Sequence, residues 1–80
     1  MVLTCVFPIE VVHQQRQILG IRIRDLRDQE LLAREILAAM TGINRRTLPR
    51  IESGTSDPGY GDLIRIADAI GVDVADLVRW

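Results

Sequence analysis

Arg34-Glu35-Ile36-Leu37-Ala38-Ala39-Met40-Thr41-Gly42-Ile43-Asn44-Arg45-Arg46-Thr47-Leu48-Pro49-Arg50-Ile51-Glu52-Ser53-Gly54 is the stretch on which the fold of this 80-residue sequence turns. Leu32, Ile36, Leu37 and Met40 recur at helical spacing. Thr41-Gly42 is a helix stop. Ile43 supplies an apolar residue for the corner, and Asn44 is a good N-cap for a second helix, with Ile51 on its apolar side. Small Ala38 lets the two helices approach closely.

A helix, a tight turn with an apolar corner and a capped second helix make the physical recipe of a helix-turn-helix, whose second helix enters the major groove of DNA. At about 100° per residue, Arg45 falls at zero, Pro49 near 40°, Arg46 near 100° and Arg50 near 140° on the helical wheel. Thr47, Ile51 and Leu48 fall on the other side, between about 200° and 300°. One face is three arginines around Pro49, and the other is core. An arginine bound to both O6 and N7 of guanine discriminates by about 1–3 kcal/mol, and arginine also neutralises phosphate. Arg45 and Arg46, at the helix tip, are the candidates for base contact, and Arg50 for base or phosphate. Arg34, at the start of the preceding helix, is placed to touch the DNA backbone. Thr55 and Ser56, just past the helix, are placed to hydrogen-bond phosphates. The competing explanation is a merely solvated arginine face. The turn pattern beside it favours DNA.

Working outward, Ser53 to Gly59 is a loop of glycine, proline and small polar residues. Leu63, Ile66, Ala67 and Ile70 form another amphipathic helix, ended by Gly71. Asp73 caps a last short helix, with Asp76 three residues on, and acids suit the positive end of a helix dipole. Towards the N-terminus, residues 9–30 turn helical through Ile18, Leu19, Ile23 and Leu26, and Gly20 need not break that run. Residues 2–7 are β-branched and apolar and predict a short strand-like arm. A lone strand is not stable in water, so the arm is expected to pair with residues 77–80 or with a second subunit. The sequence therefore divides into 1–17, an arm and lead-in to the first helix with a role in dimerisation or strand pairing, and 18–80, the helix-turn-helix domain.

The fold class expected is all-α: an arm followed by four or five short helices. Helices this short are not stable alone. They must share a core, here Leu19, Ile23, Leu26, Leu32, Leu37, Ile43, Leu48, Ile51, Leu63, Ile66, Ile70, Val72 and Leu77. Eighty residues with 48% apolar content suffice for one such domain. Cys5 is the only cysteine, so no internal disulfide forms. Residues 1–9 are apolar but too short to span a bilayer and lack a basic flank. A cytoplasmic, non-membrane protein is expected. The net charge is only −1, but it is polarised: residues 1–50 hold eight arginines against five acids, and residues 51–80 hold two against six. One pole suits phosphate while the other keeps the protein soluble. Every basic residue is arginine, which base composition of the genome explains at least as well as function.

Residues 19–78 resemble the Cro/CI-type (Xre-family) helix-turn-helix domain, the lambda-repressor-like fold. Leu19-Gly20 and residues 22–27 (Arg-Ile-Arg-Asp-Leu-Arg) resemble that family's first helix. Leu37-Ala38, Gly42-Ile43 and residues 50–54 (Arg-Ile-Glu-Ser-Gly) resemble its turn and recognition helix. Pro58 and residues 63–72 resemble its fourth helix, and Asp76-Leu77 its end. The resemblance covers roughly three quarters of the chain without gaps, and residue class and spacing agree over several separate blocks. It implies a compact five-helix domain, a sequence-specific repressor or antitoxin-type regulator, often dimeric.

Four departures from the family pattern stand out. Ala33 and Arg34 replace the usual Ser/Thr cap and the Gln that braces a phosphate, and losing a cap costs about 0.5–2 kcal/mol. Leu31 stands where a turn glycine is usual, so propensity alone would let the first two helices fuse. Pro49 lies inside the recognition helix, where it costs about 3 kcal/mol unless it falls near the first turn. The helix must start irregularly, or late with Thr47 as cap and Arg45-Arg46 on an extended loop. Gly59 and Gly61 weaken the start of the fourth helix. These departures leave open a degenerate scaffold that acts as a protein-interaction module without specific DNA binding, its partner a toxin or another regulator.

No other chemistry competes. His13 and Cys5, eight residues apart across Pro8, form no metal or nucleophile motif. There is no acid–base pair and no phosphate-cradling glycine loop. Tyr60 suits packing at a helix entrance, and Trp80 is a terminal packing residue or a partner contact. No enzyme activity, cofactor or metal is expected. The partners expected are double-stranded DNA and a second copy of the chain.

Overall fold

A computed structural model of the chain describes residues 9–78. Its helices are α1 (Ile9–Gln29), α2 (Arg34–Thr41), α3 (Thr47–Glu52), α4 (Tyr60–Ile70) and α5 (Val74–Val78), and no strand occurs among the described residues. The strand expected at residues 2–7, with Cys5, and the terminal Trp80 lie outside them.

The helical period places Ile23, Leu37, Ile43, Leu48, Ile51, Ile66, Ile70 and Leu77 in one buried cluster, joined by the small Ala38 and Ala67. Leu19, Leu26, Leu32, Leu63 and Val72 pack around it, so every residue expected in the core is in it or against it. Ile36 and Met40, which continue the period of α2, point outward instead. The 100° step puts them opposite Leu37, Ala38 and Thr41, and those three face α3 and α4.

α1 lies across α3 and α5, while α2 lies against α3 and α4. At Gly20 the backbone of α1 rides on the end of α3. A Cβ there would stand 2.5 Å from the carbonyl oxygen of Ile51 and closer still to that of Glu52. The glycine is a contact requirement, not a helix interruption.

The junction between α1 and α2 stays bent despite its helix-forming sequence. Leu31 takes the left-handed conformation, φ +54°. The N–H of Leu31 donates to Asp28 (3.0 Å) and that of Leu32 to Arg27 (3.0 Å). This is the Schellman pattern, with leucine in the place that glycine usually holds. The Arg27 guanidinium fixes it by donating to the carbonyl of Leu32 at 2.8 Å.

Candidate nucleic-acid interface

The corner between α2 and α3 is built from local chemistry. Gly42 ends α2 at φ +74°, its N–H on the carbonyl of Ala38 at 2.9 Å. The buried Thr41 hydroxyl donates to the Leu37 carbonyl (2.8 Å) and accepts the Ile43 N–H (3.2 Å). Ile43 thereby enters the core. The Asn44 carboxamide oxygen accepts the Arg46 N–H at 2.7 Å, as an N-cap does. The Asn44 carbonyl then receives the N–H groups of Thr47 and Leu48.

These bonds settle where Pro49 sits. Arg45 and Arg46 are not on an extended loop: they form a tight turn, and Arg46 has helical dihedrals (φ −83°, ψ −27°). α3 starts late, at Thr47, so Pro49 is only its third residue. In the first turn a missing N–H costs little. The helix ends in a second Schellman turn, with Gly54 at φ +81° and its N–H on the carbonyl of Ile51. Gly54 abuts Gln17 of α1, and a Cβ there would lie 2.8 Å from the Gln17 side chain.

On this frame Arg34, Arg45, Arg46 and Pro49 line one groove with Glu35. Arg50 extends the row one turn beyond Arg46. Leu48 and Ile51 face the core, as the wheel requires. The four arginines are exposed, and among the described residues their guanidinium groups have no ion-pair or hydrogen-bond partner. Other arginines are engaged: Arg16 with Asp57, Arg22 with the Asp76 carbonyl, Arg27 with Glu52 and Arg65 with Asp62. Arg24, exposed on α1, is also unpaired. Thr55 and Ser56 sit apart from the groove. Their N–H groups converge on the Arg50 carbonyl, and the Thr55 hydroxyl donates to the same oxygen at 3.3 Å. They hold the end of α3.

Ala33 precedes α2 in an extended conformation and makes no side-chain cap, in keeping with its methyl group. No cluster of His, Cys, Asp or Glu among the described residues is arranged to hold a metal. No helix among them is long and apolar enough to cross a membrane.

The family model described as "Helix-turn-helix domain" matches residues 18–80. The chain belongs to the helix-turn-helix family. Its fold is the Cro/CI-type, lambda-repressor-like domain. This helix-turn-helix domain is similar to the restriction-modification controller protein C.AhdI from Aeromonas hydrophila (TM-score 0.78, 25% identity), over 80% of this chain and 97% of that one. It is also similar to a transcriptional regulator of the HTH_3 family from Vibrio cholerae (TM-score 0.77, 23% identity), over 82% of this chain but only 37% of that one. A third likeness is to the hypothetical transcription factor NHTF from Neisseria (TM-score 0.77, 22% identity), over 96% of this chain and 86% of that one. Comparison with curated proteins found no match.

Sequence reasoning missed the charged pair that seats the recognition helix. In this helix-turn-helix protein Arg27 Nε donates to Glu52 Oε2 (2.8 Å) and Nη2 to Oε1 (3.0 Å), and both residues are buried. Its Nη1 also reaches Asp28 at 3.3 Å. A signal existed: Arg27 follows Ile23 by four residues and Glu52 follows Leu48 by four. Two opposite charges thus stand at core positions of two different helices. Glu35, beside Arg34 and Arg45 in the groove, was missed as well.

Proposed function

We propose that this protein is a sequence-specific DNA-binding transcription regulator, of the repressor or antitoxin-type autoregulator kind, working as a homodimer on double-stranded DNA. One observation carries the reading. Arg34, Arg45, Arg46 and Arg50 are left unpaired on one surface, beside a helix braced by the Arg27–Glu52 pair. An exposed guanidinium row with a rigid base suits base edges and phosphates. The controller protein and the transcription regulators among its structural neighbours support the same reading. The exposed Ile18 and Ile21 of α1 give a second copy an apolar surface, and sedimentation tests the dimer.

A mobility-shift titration on a selected operator tests the function. Arg45→Ala and Arg46→Ala should each weaken binding about fivefold or more, given about 1–3 kcal/mol per arginine–guanine pair. Unchanged affinity in both variants would defeat the assignment. Pro49 within α3 and the absence of the family's phosphate-bracing Gln at the start of α2 motivate a second reading, an interaction module for a toxin or other regulator. That reading predicts a stable protein complex and no salt-sensitive DNA binding.

A further inference from the structure

Granted the DNA-binding function, on which this inference rests, the groove restricts which bases the protein can tell apart. The side chains opening on it are Arg34, Glu35, Arg45, Arg46 and Pro49, with Arg50 one turn further. Guanidinium groups only donate. Guanine is the base whose major-groove edge offers two adjacent acceptors, O6 and N7, whereas adenine sets an amino donor beside N7. Adenine is read by Asn or Gln, and the nearest such side chain is Asn44. Its oxygen is already held by the Arg46 N–H at 2.7 Å. Thr47, at the start of α3, is half-buried, and the 100° step puts it on the other side of the helix from Pro49. Glu35 is the one side-chain acceptor in the groove. Its base partner is the cytosine amino group, again in a G·C pair, because adenine's amino group stands beside the N7 lone pair, which repels a carboxylate.

Pro49 remains. Its ring is half-buried on α3, between the arginines, and offers only apolar C–H surface. The apolar mark in the major groove is the thymine C5-methyl. We infer that the protein recognises guanine-centred half-sites, reading O6 and N7 with Arg45, Arg46 and Arg50 and an adjacent thymine methyl with Pro49, without an adenine-specific contact.

Selection of bound sites from random duplexes at two salt concentrations supplies the probe. Guanines of the selected half-site are then replaced one at a time by 7-deazaguanine, and thymines by uracil. At two or more guanines, loss of N7 should weaken binding about fivefold, and the sensitivity at one of them should vanish in Arg46→Ala. Uracil at one neighbouring thymine should weaken binding about fourfold, the worth of one buried methyl. Pro49→Ser, with its folding checked by thermal melting, should not feel that change. Insensitivity to either replacement overturns the inference and leaves DNA binding intact. Absence of any salt-sensitive binding overturns the function itself, and the base preference with it.

Discussion

Arg27 joins three parts of the molecule through one side chain: its own helix, the bend at Leu32 and the end of α3 at Glu52. Removing one partner of a buried pair strands the other charge, at a cost of about 3–5 kcal/mol. Glu52→Ala leaves Arg27 only the exposed Asp28 and the Leu32 carbonyl, and should lower the unfolding free energy by up to that amount in urea titrations. The double variant Arg27→Met/Glu52→Leu removes both charges and should recover most of the loss. A loss under about 1 kcal/mol in the single variant would show a pair worth no more than a surface one. The Glu52 hydrogen bond, opposed by burial, raises the Arg27 pKa above its ordinary value. A raised cation contributes stability that is complete below the unfolded pKa and is lost only as pH rises through the folded one. The arginine side of the pair therefore does not titrate near neutrality. Leu31 is a residue with the opposite balance: φ is +54° and the residue is 93% exposed, so strain is offset by no burial. Leu31→Asn tolerates that φ and should stabilise by about 1 kcal/mol, the lower end of the left-handed penalty. In a domain of this size that raises the melting midpoint by about 4–8 °C.

At the scale of elements, two glycines in helices separate packing from propensity. Alanine is the better helix former by about 1 kcal/mol at both. At Gly61 nothing lies within 4 Å of an added Cβ, so Gly61→Ala should stabilise α4 by about 0.5–1 kcal/mol. At Gly20 the same methyl meets the Ile51 and Glu52 carbonyls. Gly20→Ala must lift α1 off α3, and overpacking of that kind costs about 1–3 kcal/mol. Thermal melts of the two variants should move in opposite directions, and Gly20→Ala should also weaken DNA binding because it displaces α3. Equal shifts would mean that the α1–α3 contact is loose. The late start of α3 belongs at this scale too. Thr47 and Leu48 both bond to the Asn44 carbonyl, which carries the chain through the Arg45-Arg46 turn before Pro49 can interrupt it.

For the whole molecule, arginines are sorted by use. Those of α1 at 16, 22 and 27 hold helices and loops together, and those at 34, 45, 46 and 50 stay on one surface. If the latter meet phosphates, each contact contributes about −0.9 to the slope of log affinity against log salt. Arg34→Ala should flatten that slope by about 0.9 per bound copy and leave the selected sequence unchanged, as a backbone contact does. An unchanged slope would remove Arg34 from the interface. Arg45→Ala should instead relax the selected sequence. The net charge of −1 hides this arrangement, because residues 1–50 hold eight arginines against five acids and residues 51–80 two against six.

Most helix positions, the corner at Gly42-Ile43, the apolar core and the inward face of α3 were determined by the sequence alone, because the apolar period and the helix stops are local. The start of α3 stayed open there between an irregular and a late one. The apolar period selects the buried side, and a glycine or a capping residue selects the end. Three features were decided only in the folded chain: the bend at Leu31, the seating of α3 and the division of arginines into paired and unpaired. The physical reason is distance along the chain. Arg27 and Glu52 are 25 residues apart, and Arg16 and Asp57 are 41 apart. Helices too short to persist alone acquire such partners only when the core has closed and brought their faces together.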